Sequence, residues 1–266
     1  MILSKIIQHK KQELKILQQT LDVCDMARQI KRLPPTRNFQ AAIRLPGCVS
    51  LIAEIKQASP VKGNLSRNFN HLELAGSYSR HGAAAISILT ETEFFGGRLS
   101  YLEEVRQACD LPLLRKDFII DTLQLYQSRL AGADAVLLIA AVLSDHKLRQ
   151  LLSLAARLNL QALVEVHTPA ELERALRAGA AVIGINNRCL QTFVTDLNTT
   201  DRLLSLLNRP DITVVSASGI SSREHMQFLR RRGVHAALVG EALVTAADTG
   251  CKIKELLEGG RRLTDV

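Results

Sequence analysis

The sequence predicts an α/β fold, a closed (β/α)8 barrel of the TIM-barrel class with an N-terminal helical extension. Three observations predict it. From Val49 onward, short apolar runs alternate with helically spaced segments eight times. Strands separated by helices pair in parallel, because only a crossover returns the chain to the same end of a sheet, and eight such units in about 210 residues match a closed barrel. The turn after the first strand, "QASPVKGN" (Gln57 to Asn64), lacks the glycine fingerprint of the rival open dinucleotide-binding sheet.

Each unit has its own signature. "VSLIAEIK" (Val49 to Lys56) reads as the first strand, and "HLELAGSYSRHG" as a helix with a glycine stop at Gly82. "AAISILT" (Ala84 to Thr90) and "LSYLEEVRQAC" form the second pair, "LPLLRKDF" and "DTLQLYQSRLAG" the third. "AVLLIAA" (Ala135 to Ala141) precedes a helix capped by Ser144 or Asp145. "QALVEVH" precedes "PAELERALRAG", with Pro169 near the helix start and Gly179 just past its end. "AVIGINN" with "TTDRLLSLL", "ITVVSASG" with "SREHMQFLRRRG", and "AALVG" with "KIKELLEG" complete the eight. Residues 1–266 read as one barrel domain, in which residues 1–48 are the extension: one or two helices, then the turn "LPPT".

Composition narrows the function classes. Hydrophobic residues make up 47% of the 266, enough for a large core and against disorder. The net charge of +8 suits nucleic acid or an anionic metabolite. The main basic cluster, "LRRRG", sits where cations favour a helix C-terminus, and no aromatics interleave with it as a nucleic-acid stacking surface requires. Five scattered cysteines without a CxxC pair indicate neither zinc nor a disulfide framework, and fit a reduced, cytoplasmic compartment. No apolar run is long enough to cross a membrane, and the amphipathic N-terminus reads as a helix packed on the domain.

Strand alternation places the charges. In the first strand Leu51, Ala53 and Ile55 share the side expected to face the helices, so Glu54 and Lys56 point into the lumen near the C-terminal end. Leu114 with Lys116, Leu163 with Glu165, and Gly184 with Asn186 and Arg188 follow the same rule. Polar groups are costly deep in a layered core, but at the rim they meet one another, water and a ligand. The plain alternatives are an ion pair for Glu54 and Lys56, a solvated strand end for Lys116, and a loop or capping role for His167. Arg115 and Asp117 have the opposite parity and read as outer-layer or loop charges.

With these motifs aligned, the chain resembles the indole-3-glycerol phosphate synthase family of tryptophan biosynthesis. "AEIKQASPVKG", "ILTETEFFGG", "LLRKDFIID", "GADAVLLIAA", "LVEVHT", "IGINNRCLQTFVTDLNTT" and "LVGEAL" occur in family order, and "ILSKIIQHKKQEL" is similar to the family's extra N-terminal helix. The resemblance implies ring closure, decarboxylation and dehydration of an anilino-deoxyribulose phosphate without metal or organic cofactor. It implies Lys116 as general acid, Glu165 as general base or acid, Lys56 at the substrate carboxylate, Glu54 pairing with lysine, and Asn186 orienting hydroxyls or a water. It places Ser59, Pro60, Leu89, Phe95, Phe118, Leu190 and Leu238 around the anthranilate ring, with Arg188 adding charge at the mouth. Phosphate falls to Ser218, Gly219, Gly240, the backbone of Glu241, and Lys56. The expected partner is a small phosphorylated substrate, with no nucleic acid or membrane. The chain is expected to be a monomer, with weak association to other enzymes of the pathway.

One departure stands out. Strand seven reads "VVSASGI", with Ala217 where the family usually has glutamate. The expectation is an active but slow enzyme; the alternative is a degenerate barrel, weakly active or inactive, that binds a phosphorylated ligand. A Schiff base on Lys116 is a further enzymatic alternative. Val61, Arg98 and Cys189 depart from the family pattern at loop positions.

Overall fold

Eight strands close on themselves in the computed structural model, which describes residues 2–66, 68–189 and 194–261. They are β1 (Ser50–Ile55), β2 (Ala85–Leu89), β3 (Leu113–Lys116), β4 (Ala135–Ile139), β5 (Gln161–Val166), β6 (Val182–Asn186), β7 (Thr213–Ala217) and β8 (Ala236–Val239). All neighbouring pairs are parallel, and β8 returns to β1 with Ser50 opposite Ala236 and Ile52 opposite Leu238. The alternating chain thus forms the expected TIM barrel.

Its helices are α1 (Ile2–Thr20), α2 (Val23–Ile30), α3 (Phe39–Ile43), α4 (His71–Arg80), α5 (Leu99–Ala108) and α6 (Thr122–Leu130). After them come α7 (Asp145–Arg157), α8 (Pro169–Arg177), α9 (Asn198–Leu204), α10 (Arg223–Arg231), α11 (Glu241–Val244) and α12 (Thr249–Gly260). Their starts follow local chemistry. Asn70, Ser144, Thr168, Ser222 and Asp248 each accept an N–H of the first turn. Asp121 and Gln124 form a capping box at α6.

Two apolar layers result. Leu51, Ala53, Ile55, Ile86 and Ile88 pack outward against helices, whereas Ile52, Leu114, Leu137, Leu163, Val215 and Leu238 fill the lumen. Two helices, α1 and α2, precede the "LPPT" segment, as expected, and a third follows it. The third, α3, closes the floor of the barrel: Phe39 and Ile43 are fully buried with the lumen residues. Its first turn satisfies polar strand starts, since the Gln40 N–H donates to Gln161 and the Gln40 side-chain amide donates to Thr213. Its five residues form little more than one turn, too short to carry a periodic signal.

Helix α1 crosses the opposite face. Ile6 and Leu14 are buried, as expected of a helix packed on the domain, and Lys10 is buried between them. No helix among the described residues is long and apolar enough to cross a membrane.

Candidate active site

The alternation of β1 delivers Glu54 to the rim, where it is almost fully buried, and Lys56 just beyond the strand end. Glu54 Oε1 lies 3.0 Å from Lys56 Nζ, and Oε2 lies 3.7 Å from Lys116 Nζ at the end of β3. Burial alone would push the Glu54 carboxyl up; the ammonium groups of Lys56 and Lys116 outweigh it and hold the group below its usual range. Glu54 is therefore an ionised anchor that positions both lysines.

Glu165 on β5 is buried to 4% exposure and accepts a hydrogen bond of 3.1 Å from Asn186 Nδ2 on β6. Gly184, the register partner of Glu165, contributes no side chain between them. Asn186 Oδ1 in turn accepts the Arg188 N–H at 3.0 Å. His167 does more than occupy a loop: its Nε2 lies 3.8 Å from Glu165 Oε1 and its Nδ1 3.5 Å from Glu171. Burial disfavours its charge, but the two carboxylates outweigh that and raise its pKa. The helix cap next to it is Thr168.

These groups line one cavity of about 380 Å³. Glu54, Lys56, Lys116, Glu165, Asn186 and Arg188 supply its polar surface, and Leu89, Phe95, Phe118 and Leu238 its apolar wall, with Ser59 and Pro60 at the edge. The rings of Phe95 and Phe118 are 6.2 Å apart. The volume is within the range of small-ligand pockets, and the mixture of one apolar wall with convergent charges suits a ring carrying a charged tail. Leu190 lies outside the described residues. Helix α1 adds Ile2, Leu3 and Ile6 to the lining, a contribution that the strand-end reading of the sequence missed.

The far end of the cavity is built from backbone. Ser218 and Gly219 follow β7 with φ of 70° and 79°, so two consecutive residues take the left-handed conformation. For serine that conformation is costly and persists where the surroundings impose it. Asn187, buried, imposes it: its Nδ2 lies 3.0 Å from Ser216 Oγ, Ala217 O and Ser218 O, while its Oδ1 accepts from the Thr200 N–H and hydroxyl. Nothing in its residue type distinguished Asn187 from the neighbouring Asn186. Gly240 closes the site beside Glu241, whose carboxylate is taken by Lys62 at 2.6 Å and lies 3.7 Å from Arg188. Both cations thus neutralise the Glu241 carboxylate.

Arg115 faces the helices, as its parity required, and Asp117 lies just past the strand as an outer-layer and loop charge, but a buried one. It is 1% exposed, pairs with Arg115 at 2.9 Å and accepts from Thr90 at 2.6 Å. The strand ends at Lys116, so alternation no longer governs the next residue. Glu91 is likewise buried and accepts the N–H groups of Phe94 at 2.8 Å and Phe95 at 3.1 Å, which shapes the loop carrying Phe95. Among the described residues no group of three or more His, Cys, Asp or Glu is placed to hold a metal ion.

Comparison of the sequence with known proteins places the chain in a family. The family model described as indole-3-glycerol phosphate synthase matches residues 3–256. The chain is 55% identical over 262 residues to the indole-3-glycerol phosphate synthase of Desulforamulus reducens, covering 98% of this chain and 99% of that protein. It is 49% identical over 269 residues to that of Roseiflexus castenholzii, covering 98% of each. Among solved structures, thiamine phosphate pyrophosphorylase from Pyrococcus furiosus superposes with a TM-score of 0.62 at 17% identity, covering 84% of this chain and 97% of that one, which is a likeness of fold alone.

Proposed function

The chain belongs to the indole-3-glycerol phosphate synthase family, whose activity is that of a carboxy-lyase in tryptophan biosynthesis, and from that premise we propose how its rim residues divide the chemistry. The substrate is phosphorylated; we read it as 1-(2-carboxyphenylamino)-1-deoxyribulose 5-phosphate. The ring carbon bearing the carboxylate attacks the ketone carbon, and Lys116 donates a proton to the oxygen as charge develops there. Loss of carbon dioxide then restores the aromatic ring. Glu165 serves the dehydration: it takes the proton that leaves carbon, and Lys56 gives the proton with which the new hydroxyl departs as water.

The observation that carries this reading is the shared carboxylate of Glu54. One anchor holds Lys56 at 3.0 Å and Lys116 at 3.7 Å at the mouth of the cavity that Glu165 and Asn186 also line. Lys56 so placed meets the substrate carboxylate and Lys116 the ketone. Asn186 keeps Glu165 oriented and contacts substrate hydroxyls. Phe95, Phe118, Leu89 and Leu238 sandwich the anthranilate ring, with Ser59 and Pro60 at its edge. The strained Ser218–Gly219 turn, Gly240 and the Glu241 backbone bind phosphate, and Arg188 and Lys56 add charge. No cofactor takes part in this scheme. Residues 1–266 act as one domain, working in the cytoplasm as a monomer that binds neither nucleic acid nor membrane and associates at most weakly with other enzymes of the pathway.

A fluorescence assay for the indole product tests the proposal. Lys116→Met and Glu165→Gln each lower kcat by about 10²- to 10⁴-fold, the usual worth of a positioned proton-transfer group. Either variant turning over at the wild-type rate removes that residue from the mechanism. Borohydride trapping of a substrate adduct on Lys116 would instead favour a Schiff base.

A further inference from the structure

We propose that Lys10 is a positioning residue of this site: it locks the N-terminal helix α1 onto the two loops that carry the aromatic walls of the cavity, and thereby sets substrate affinity. The inference rests on the functional reading above and extends it to a residue outside the barrel strands.

The buried stripe of α1 runs Ile6, Lys10, Leu14, four residues apart on one helix face. A lysine in the middle of that stripe, 3% exposed, demands a partner. It has two. Lys10 Nζ lies 3.0 Å from Asp117 Oδ1 and 2.7 Å from Glu13 Oε2. Asp117 stands between Lys116 and Phe118, and its Oδ1 also accepts the Phe118 N–H at 2.8 Å. The same turn of α1 reaches the other aromatic loop. Glu13 Oε1 accepts from the Thr92 hydroxyl at 3.1 Å, and His9 Nδ1 lies 3.9 Å from Glu91, the carboxylate that holds the Phe95 N–H.

The loops of Phe95 and Phe118 are therefore tied to one helical turn, and one to two turns away Ile6, Leu3 and Ile2 face the cavity itself. Apolar contacts alone leave a helix free to slide or roll by small amounts, because they are not directional. A buried ammonium is directional: any axial or rotational slip breaks its bond to Asp117, leaving Lys10 only Glu13 and Asp117 only Arg115 and Thr90. Lys10 thus selects one register of α1, and that register fixes the spacing of the ring slot beneath it. Burial disfavours the Lys10 ammonium, but Asp117 and Glu13 together outweigh it and raise its pKa, so the ion pair persists at neutral pH.

The test compares Lys10→Met, which keeps the length and apolar stem, with Lys10→Arg, which restores the charge. Steady-state kinetics are measured together with direct binding of indole-3-glycerol phosphate by its fluorescence. In Lys10→Met the KM and the product Kd rise about tenfold or more while kcat stays within about threefold, and Lys10→Arg recovers most of the affinity. A Lys10→Met protein that melts earlier yet keeps wild-type KM and Kd overturns the proposal, as does a folded Lys10→Arg with no recovery. Should Lys10→Met fail to fold, Glu13→Ala, which leaves the Lys10–Asp117 pair and removes the tie to Thr92, must raise Kd; wild-type affinity in it counts against the proposal. Product binding needs no turnover, so a failed assignment of Lys116 or Glu165 does not disturb this readout.

Discussion

Gly240 and Glu54 pack so closely that a Cβ on the glycine would lie 2.3 Å from Glu54 Oε1 and 2.9 Å from its Cδ. The absent side chain is the space in which the carboxylate reaches Lys56. Gly240→Ala forces Glu54 away from its lysines, and because Glu54 is buried it has little room to yield. The strain costs about 1–3 kcal/mol, and activity falls about tenfold or more. The check is kcat/KM for Gly240→Ala, Glu54→Gln and the double variant. Losses that add fully in the double variant would show that the glycine does not act through Glu54.

Ala217 lies beside Asn186 in the strand register, lines the cavity, and stands where the family resemblance expects glutamate. A carboxylate there joins Lys56, Lys116 and Arg188 around the same space. Ala217→Glu raises kcat/KM by about 5- to 150-fold, equivalent to about 1–3 kcal/mol of transition-state stabilisation, and the gain disappears in a Lys116→Met background. A wild type that binds product without turnover, and acquires turnover only with Ala217→Glu, would identify a degenerate barrel instead.

Arg115 is held by four buried partners: Thr90 at 3.0 Å, the Gln124 carbonyl and Ser128 hydroxyl at 3.2 Å, and Asp117 at 2.9 Å. Removing one member of a buried ion pair leaves the other poorly compensated. Arg115→Met is expected to cost about 3–5 kcal/mol of folding stability, read from the denaturant midpoint at constant slope. A loss below about 1 kcal/mol would mean that Lys10 alone satisfies Asp117.

Asp117 predicts an acid limb in stability. Burial would raise its pKa, but Arg115 and Lys10 outweigh that and bring it from 3.8 to about 2. The folded value is depressed, so the contribution is fully present above the unfolded value and is lost as pH falls through the folded one. Wild type therefore loses about 2 kcal/mol between about pH 4 and pH 2 that Asp117→Asn does not lose. Parallel acid-unfolding curves for the two proteins would contradict this.

The barrel, its eight strands and the inward set Glu54, Lys56, Lys116, Glu165 and Asn186 were all legible from alternation, because a strand repeats every two residues and the apolar side declares the helix layer. That logic stops where the strand stops. The burial of Asp117 lies beyond it for this reason, and Glu91 and Asn187, which hold loops by accepting or bridging backbone groups, carry no periodic mark at all.

By its residues alone this chain determined the order of its elements, the direction of each strand side chain and the family it belongs to, since those follow from local pattern and from motifs read in series. Only the closed barrel decided that one glutamate serves two lysines from different strands, that Gly240 clears room for it, and that a lysine ten residues from the start reaches an aspartate over a hundred residues on. The physical reason is that charge pairing and steric exclusion depend on distances of a few ångströms in space, which separation along the chain does not encode.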